Sequence, residues 1–389
     1  MEKDDRMKNI IDYAKEIVTE TELKELINSN TRPRAYIGFE PSGYLHIGSF
    51  FITSRMVNLL LDAGFEVTIL LADWHAYIND KLGGKLESIR NCGKYMEDAF
   101  SFATNHRKEL SFVFASELIG VDDYWAELIR NAKSLTLSRL KRAMTILGRN
   151  EDEAELDSSK LIYPLMQVTD IFRLRADVAY AGMDQRRAHM LAREVAEERH
   201  LKKPIAIHTP VLSSLKGISR MDPVSKMSKS NPDTAIFIHD SHSEIVRKIS
   251  GAYCPRDDQA NPILDICRYI IFPYLGKLDV KREDRYGGNL CFMSFDQLKE
   301  EYVHERLHPK DLKSSTAESL WQIMEPLYAH YADVRSRKSR RLYIFVRIAL
   351  TGACDNRLQF NQYPAQWSSG YFRNLHEFQQ IRIIGIVCV

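Results

Sequence analysis

Three groups of residues in this 389-residue chain have types and spacings that could do chemistry. The first is a glycine-punctuated junction, Tyr36-Ile-Gly-Phe-Glu-Pro-Ser-Gly-Tyr-Leu-His-Ile-Gly-Ser49. An apolar run ends at Glu40, and from His46 apolar positions recur at helical spacing through Met56 and Leu60. A strand that breaks into a helix leaves the first N–H groups of the helix without partners at the positive end of its dipole, which suits an anion such as a triphosphate. His46, Gly48 and Ser49 would let that anion approach closely. The second group is Val224-Ser-Lys-Met-Ser-Lys-Ser-Asn-Pro232, a cationic, solvent-facing loop in which Lys226 and Lys229 can reach phosphates. The third is Leu161-Ile-Tyr-Pro-Leu-Met-Gln-Val-Thr-Asp-Ile-Phe172, with Pro164 expected at a first helical position and Tyr163, Gln167 and Asp170 at i, i+4 and i+7. Leu161, Leu165, Met166, Val168, Ile171 and Phe172 surround that polar stripe. The helix is therefore expected to be buried, and its polar face needs a partner such as a bound polar ligand.

Each group has an ordinary explanation when taken alone. A single histidine at a helix start is as readily a cap, and the acidic run Glu151-Asp-Glu-Ala-Glu155 reads as a solvated segment with no chemistry. Composition narrows the class of protein without choosing a function. Hydrophobic residues at 44% and charged residues at 27% are ordinary for a soluble globular chain, and no run of about eighteen apolar residues could span a bilayer. The charged N-terminus lacks the apolar stretch of a secretory signal, so a cytoplasmic protein with no membrane partner is expected. Cysteines at 92, 254, 267, 291, 354 and 388 show neither C-x-x-C pairing nor zinc-type spacing, so no metal site is expected. A net charge of +2 neither announces nor excludes a nucleic-acid partner.

The elements that must position these groups follow from hydrophobic periodicity. Residues 7 to 29 read as two helices with Ile10, Ile11, Ala14 and Ile17 on one face and Thr19 or Thr21 as a cap. Strands are expected at Ala35–Phe39, Phe65–Ala72, Leu110–Ala115, Asp177–Tyr180 and Pro204–Leu212, with a helix over Leu86–Phe102. Gly182-Met-Asp-Gln-Arg186 opens another helix, which puts Asp184 and Gln185 at a second strand-to-helix junction. Strand alternating with helix predicts an α/β fold, a doubly wound parallel sheet with ligands beyond the carboxyl ends of its strands. Helical material over about 121–160 interrupts the rhythm as an insertion. The first domain then covers 1–234. A helical domain covers 235–334, with Asp311 or Ser314 as the expected cap of its last helix, and 335–389 is a basic and then apolar tail.

His46-Ile-Gly-Ser49 and the complete Lys226-Met-Ser-Lys-Ser230 together resemble the two signature motifs of the class I aminoacyl-tRNA synthetases, a Rossmann-type family that carries a second histidine where this chain has Ser49. Within the class, Tyr36, Tyr163, Gln167, Asp170 and Gln185 are similar to the tyrosine pocket of the archaeal and eukaryotic tyrosyl enzymes. Glu40-Pro-Ser-Gly43, Gly182-Met-Asp-Gln-Arg186 and His308-Pro-Lys-Asp-Leu312 match their motifs as well. The resemblance covers about residues 1 to 332. It implies two steps, tyrosine plus ATP giving tyrosyl-adenylate and pyrophosphate, then transfer to the 3′ end of tRNA(Tyr).

The same resemblance implies roles for individual residues. Tyr36 and Asp170 would bind the substrate phenol, while Tyr163, Gln167 and Gln185 would hold its ammonium. Gly38, Glu40, Gly43, His46, Gly48, Ser49, Lys226, Met227, Ser228, Lys229 and Ser230 would surround ATP, with His46, Lys226 and Lys229 catalytic. It further implies Mg2+ carried by ATP, no DNA partner, and a homodimer with its interface at about 105–165. The helical domain becomes an anticodon domain, with Tyr286-Gly-Gly-Asn289 near the first anticodon base. A tryptophanyl synthetase shares this fold but has no use for an aspartate facing a phenol. A relative that binds RNA without catalysis is the non-enzymatic alternative.

Overall fold

The expected apolar runs become strands because each is short, rich in branched residues, and bounded by glycine, proline or a polar turn. In the computed structural model, which describes residues 3–29, 32–143, 157–217, 227, 232–256 and 261–332, the five expected strands and one further segment form one six-stranded sheet. They are β1 (Glu16–Val18), β2 (Arg34–Phe39), β3 (Glu66–Leu71), β4 (Leu110–Phe114), β5 (Val178–Gly182) and β6 (Ile205–Thr209). The order is β1-β6-β5-β2-β3-β4, and every neighbouring pair is parallel except β1 with β6. This is the expected doubly wound sheet. β2 lies between β3 and β5, so chain order reverses on its two sides and a crevice opens at its carboxyl end.

The N-terminal expectation of two helices needs a correction. Helices Lys3–Tyr13 and Glu20–Asn28 are present, but Ile17 lies in β1, opposite Ile207 of β6. Three residues are too few to show a period, and what makes them a strand is the unpaired edge of β6. Thr19 caps the second helix: its Oγ1 accepts the Glu22 N–H at 3.2 Å, and the Glu22 carboxylate accepts the Thr19 N–H at 3.3 Å.

Two helix starts also differ from expectation. The helix carrying the polar stripe spans Ser159–Arg173, so Pro164 sits in its second turn rather than at its first position. The helix starts earlier because the Asp157 carboxylate accepts the Ser159 N–H at 3.0 Å, and Pro164 then forfeits one backbone hydrogen bond. The last helix spans Pro309–Ala332, so Asp311 and Ser314 lie inside it. Pro309 opens it, and His308 Nδ1 accepts the Lys310 N–H at 3.1 Å.

The insertion supplies helices Asp122–Lys133 and Leu137–Ala143. Beyond the sheet come helices His242–Ser250 and Phe295–Val303, and a helical stretch from Pro262 to Leu275 with a wide turn at Cys267–Ile271. A two-stranded hairpin, Leu278–Val280 with Leu290–Phe292, was not anticipated. The largest apolar cluster runs from Ile10 through the sheet to Leu327 and Tyr331, so this helical region packs into the same core as the sheet. No described helix is long and apolar enough to cross a membrane. The acidic run at 151–155 and the tail at 335–389 lie outside the described residues.

Candidate active site

The crevice at the end of β2 is a cavity of about 340 Å³. Its walls come from β2, the 181–185 turn after β5, the helix Ser159–Arg173, the segment 209–212 after β6, and the first turns after His46. Tyr36 points into it from β2 and is almost wholly buried. Gly38, two residues on and therefore on the same face, leaves room for that phenol: a Cβ there would lie 2.6 Å from the Tyr36 hydroxyl oxygen, so the ring or the strand would have to shift.

The helical stripe delivers its three residues to this crevice. The Tyr163 hydroxyl donates to Glu40 Oε1 at 2.6 Å, and Gln167 Nε2 donates to Gln185 Oε1 at 3.4 Å. Asp170 is 0% exposed at the base, behind the lining residues. Its Oδ1 accepts the Tyr124 hydroxyl at 2.8 Å. Its Oδ2 lies 3.1 Å from His75 Nε2 without the alignment of a hydrogen bond, so that oxygen is a buried acceptor with no donor among the described residues. Burial above all, and then the Asp170 carboxylate, push the Tyr36 and Tyr124 hydroxyls above their ordinary range. Burial and then Glu40 do the same to Tyr163. All three phenols are therefore neutral donors at physiological pH.

Glu40 is the hub of the rim. Besides Tyr163 it accepts from Asn79 Nδ2 at 3.2 Å, and Lys81 Nζ lies 3.8 Å away. The Asn79–Lys81 turn is tied in turn to the stripe helix by Lys160. That side chain is buried, donates to the Ile78 carbonyl, and pairs with Asp80 at 2.9 Å and Asp157 at 3.2 Å. Asp80 adopts φ of 53°, a left-handed conformation that those contacts hold.

At the nucleotide end, His46 forms a bridge with Phe237, flanked by Ile47 N–H to Ile236 O at 2.9 Å and Ile238 N–H to Leu45 O at 3.0 Å. His46 Nδ1 accepts the Ser49 N–H at 3.2 Å, which puts the proton of the neutral ring on Nε2. The Ser49 hydroxyl donates to the His46 carbonyl at 3.0 Å. Gly48 lines the cleft where a Cβ would meet His46 Nδ1 at 3.2 Å. Gly43 is not a lining residue; it makes the turn, with φ of 132°. Met227, almost wholly buried, also lines the cleft, and its N–H reaches the Leu212 carbonyl at 3.1 Å. Lys226, Ser228, Lys229 and Ser230 lie outside the described residues.

Sequence reasoning missed His75, Asn79, Tyr124 and Lys160. His75 and Asn79 carried a usable signal, since they follow β3 at the carboxyl end of a parallel strand. Tyr124 carried none, being an aromatic residue in an insertion helix.

The model of the tRNA synthetases class I (W and Y) family matches residues 28–325. The chain is 48% identical over 323 residues to a tyrosine–tRNA ligase of Picrophilus torridus, covering 82% of this chain and 97% of that one. It is 48% identical over 336 residues to one of Aeropyrum pernix, covering 83% and 92%. Among solved structures it is similar to tyrosyl-tRNA synthetase from Aeropyrum pernix, with a TM-score of 0.80 at 44% identity over 89% of this chain and 99% of that one. It is also similar to the Pyrococcus horikoshii enzyme complexed with L-tyrosine, with a TM-score of 0.81 at 36% identity over 89% and 100%. A tryptophanyl-tRNA synthetase at 18% identity shares the fold alone. The signature junction, the stripe helix and these relatives agree: the chain belongs to the tyrosine–tRNA ligase family of the class I tRNA synthetases.

Proposed function

We propose that this cleft performs tyrosine–tRNA ligation, joining L-tyrosine to ATP as tyrosyl-adenylate and passing it to the 3′ end of tRNA(Tyr). The observation that carries this reading is the buried Asp170 oxygen that accepts no hydrogen bond, at the base of the cleft into which Tyr36 points. A phenol is donor and acceptor at once, so tyrosine would donate to Asp170 and accept from Tyr36. Phenylalanine would leave both unpaired in a dry site, and indole has no acceptor to offer Tyr36. Tyr163, Gln167 and Gln185, which also line the cleft, would hold the ammonium group.

ATP would lie along Gly38, Glu40, Gly48 and Ser49, with Gly43 shaping the turn. His46 Nε2–H would serve as a phosphate donor, and Met227 would bring Lys226 and Lys229, with Ser228 and Ser230, to the pyrophosphate side. Magnesium carried by ATP would take phosphate and water oxygens as ligands. No side-chain nucleophile is required; positioning and stabilisation of developing charge do the work.

Partners follow from exposed surfaces. Trp125 and Ile129 share one face of helix Asp122–Lys133, with Val121 just before the helix and Leu137 after it; Val121, Trp125, Ile129 and Leu137 are 46%, 45%, 59% and 59% exposed, which supports a homodimer through the insertion. In the helical region, Tyr286 is 60% exposed at the hairpin turn with the Arg285 guanidinium 4.8 Å from its ring centroid, a surface suited to stacking an unpaired anticodon base. Residues 235–334 would thus be the anticodon-binding part of a cytoplasmic translation enzyme. ATP–pyrophosphate exchange measured with each of the twenty amino acids tests the assignment. Tyrosine alone should support exchange, and exchange with tryptophan but not tyrosine would refute it.

A further inference from the structure

A second cavity, of about 260 Å³, shares Pro210 with the active-site cleft but none of its chemistry. Its walls are the end of helix Lys3–Tyr13, one face of helix Thr53–Asp62, and the wide turn at Cys267–Ile271. Lys15, Arg55 and Arg268 line it against a single carboxylate, Asp12, so two positive charges are left over. None of the three cations forms an ion pair with a carboxylate among the described residues; the buried Asp265, one turn before Arg268, feels that charge at longer range and accepts the Ser213 hydroxyl at 2.7 Å. The Nε–H of Arg55 is buried there with no acceptor. An uncompensated guanidinium in a crevice is costly, whereas the same group offered to an oxyanion makes charge-assisted, often bidentate hydrogen bonds.

The site is also built rather than incidental. The Arg268 guanidinium lies over Tyr269 and Phe295, 5.2 and 5.3 Å from their centroids, and the Tyr13 hydroxyl donates to the Tyr269 carbonyl at 2.9 Å. These contacts tie the N-terminal helix to the turn that carries Arg268. A carboxylate would neutralise one of the two surplus charges, while a phosphate dianion matches both and offers enough oxygens for three donors.

We propose that this cavity binds a phosphate group, held by Lys15, Arg55 and Arg268. Two sources could supply the two charges, a free phosphate dianion and the backbone of a bound RNA, whose phosphodiesters carry one charge each, so that two neighbouring ones would match the surplus. Only the second rests on the tyrosine–tRNA ligase reading.

The test uses the full chain in two arms. Calorimetric titration with inorganic phosphate at constant ionic strength compares the wild type with Arg55→Gln and with the double variant Lys15→Gln/Arg268→Gln. The double variant alters two exposed side chains, so it keeps the test alive if Arg55→Gln fails to fold. Binding of tRNA over a salt series forms the second arm. Phosphate affinity should fall about tenfold or more in each variant, while tyrosine-dependent pyrophosphate exchange keeps its wild-type rate. With RNA as the source, the slope of log K against log salt falls by about one per lost contact. With free phosphate as the source, the slope stays and the phosphate loss stands. Unchanged phosphate binding together with an unchanged slope would overturn the site. A wild type lacking exchange would count against the tyrosine assignment and leave the phosphate arm intact.

Discussion

The hydroxyl of Tyr124 donates to Asp170 Oδ1 at 2.8 Å, a contact buried on both sides and made between residues 46 positions apart. It aims the carboxylate and leaves Oδ2 for a ligand. Tyr124→Phe should lower folding stability by about 1–3 kcal/mol, because a buried acceptor loses its donor. It should also raise KM for tyrosine and erode discrimination against phenylalanine. Denaturant unfolding and exchange kinetics on the two amino acids check both parts; a stability loss with unchanged discrimination would mean that Tyr124 only supports the core.

Gly38→Ala puts a methyl group 2.6 Å from the Tyr36 hydroxyl oxygen, within a strand that otherwise tolerates alanine. Either the phenol or the backbone must move, and misplacing one ligand group by an ångström costs on the order of tenfold to a hundredfold in kcat/KM. A melting temperature close to wild type with exchange reduced by that factor is the expected pair of results. Unaltered kinetics would show that the position of the Tyr36 hydroxyl does not matter.

The fold should lose stability below neutral pH. His189 is 1% exposed; burial first, and then His208 stacked against it, pull its pKa from 6.5 down to about 3. As pH falls from about 6.5 towards 3, the unfolded chain takes up a proton that the fold refuses, so stability declines by about 1.4 kcal/mol per pH unit from this site. Glu16, held below its ordinary value chiefly by its hydrogen bonds from Arg186, loses its contribution as pH drops through that lowered value, in the same direction. His189→Gln should flatten the upper part of the curve by one proton, readable from denaturant midpoints between pH 7 and pH 4. An unchanged slope would place the titration elsewhere.

Trp125 and Ile129 lie one helical turn apart and face outwards. Trp125→Glu combined with Ile129→Glu should weaken self-association about a hundredfold or more, since central aromatic and aliphatic anchors dominate such interfaces. Sedimentation velocity over a concentration series reads this directly, and a variant that sediments like the wild type would move the interface away from the insertion.

Lys229→Ala should slow adenylate formation by about a hundredfold or more with little change in tyrosine affinity, because its charge is needed only as pyrophosphate departs. Single-turnover kinetics separate the two quantities. Parallel losses in tyrosine binding and rate would assign the residue to the ground state.

The local part of this protein was legible without its structure. Strand runs were visible because a buried parallel strand must be apolar on both faces, and the stripe of Tyr163, Gln167 and Asp170 was visible because helical geometry places i, i+4 and i+7 together in any surroundings. The two signature motifs were legible for the same reason, each being a short segment whose chemistry is carried by neighbours in the chain. Tertiary structure alone decided the pairings between distant segments: Tyr124 with Asp170, Lys160 with Asp80, β1 with β6, and Ile236–Ile238 alongside Leu45–Ile47. It also moved helix starts away from Pro164 and Asp311, because a cap is chosen by whichever side chain reaches the first free N–H groups. Propensity and periodicity act over one or two turns of chain. Strand order, and with it the partners offered to a buried carboxylate or an open sheet edge, is set by packing the whole core, and no local window contains that information.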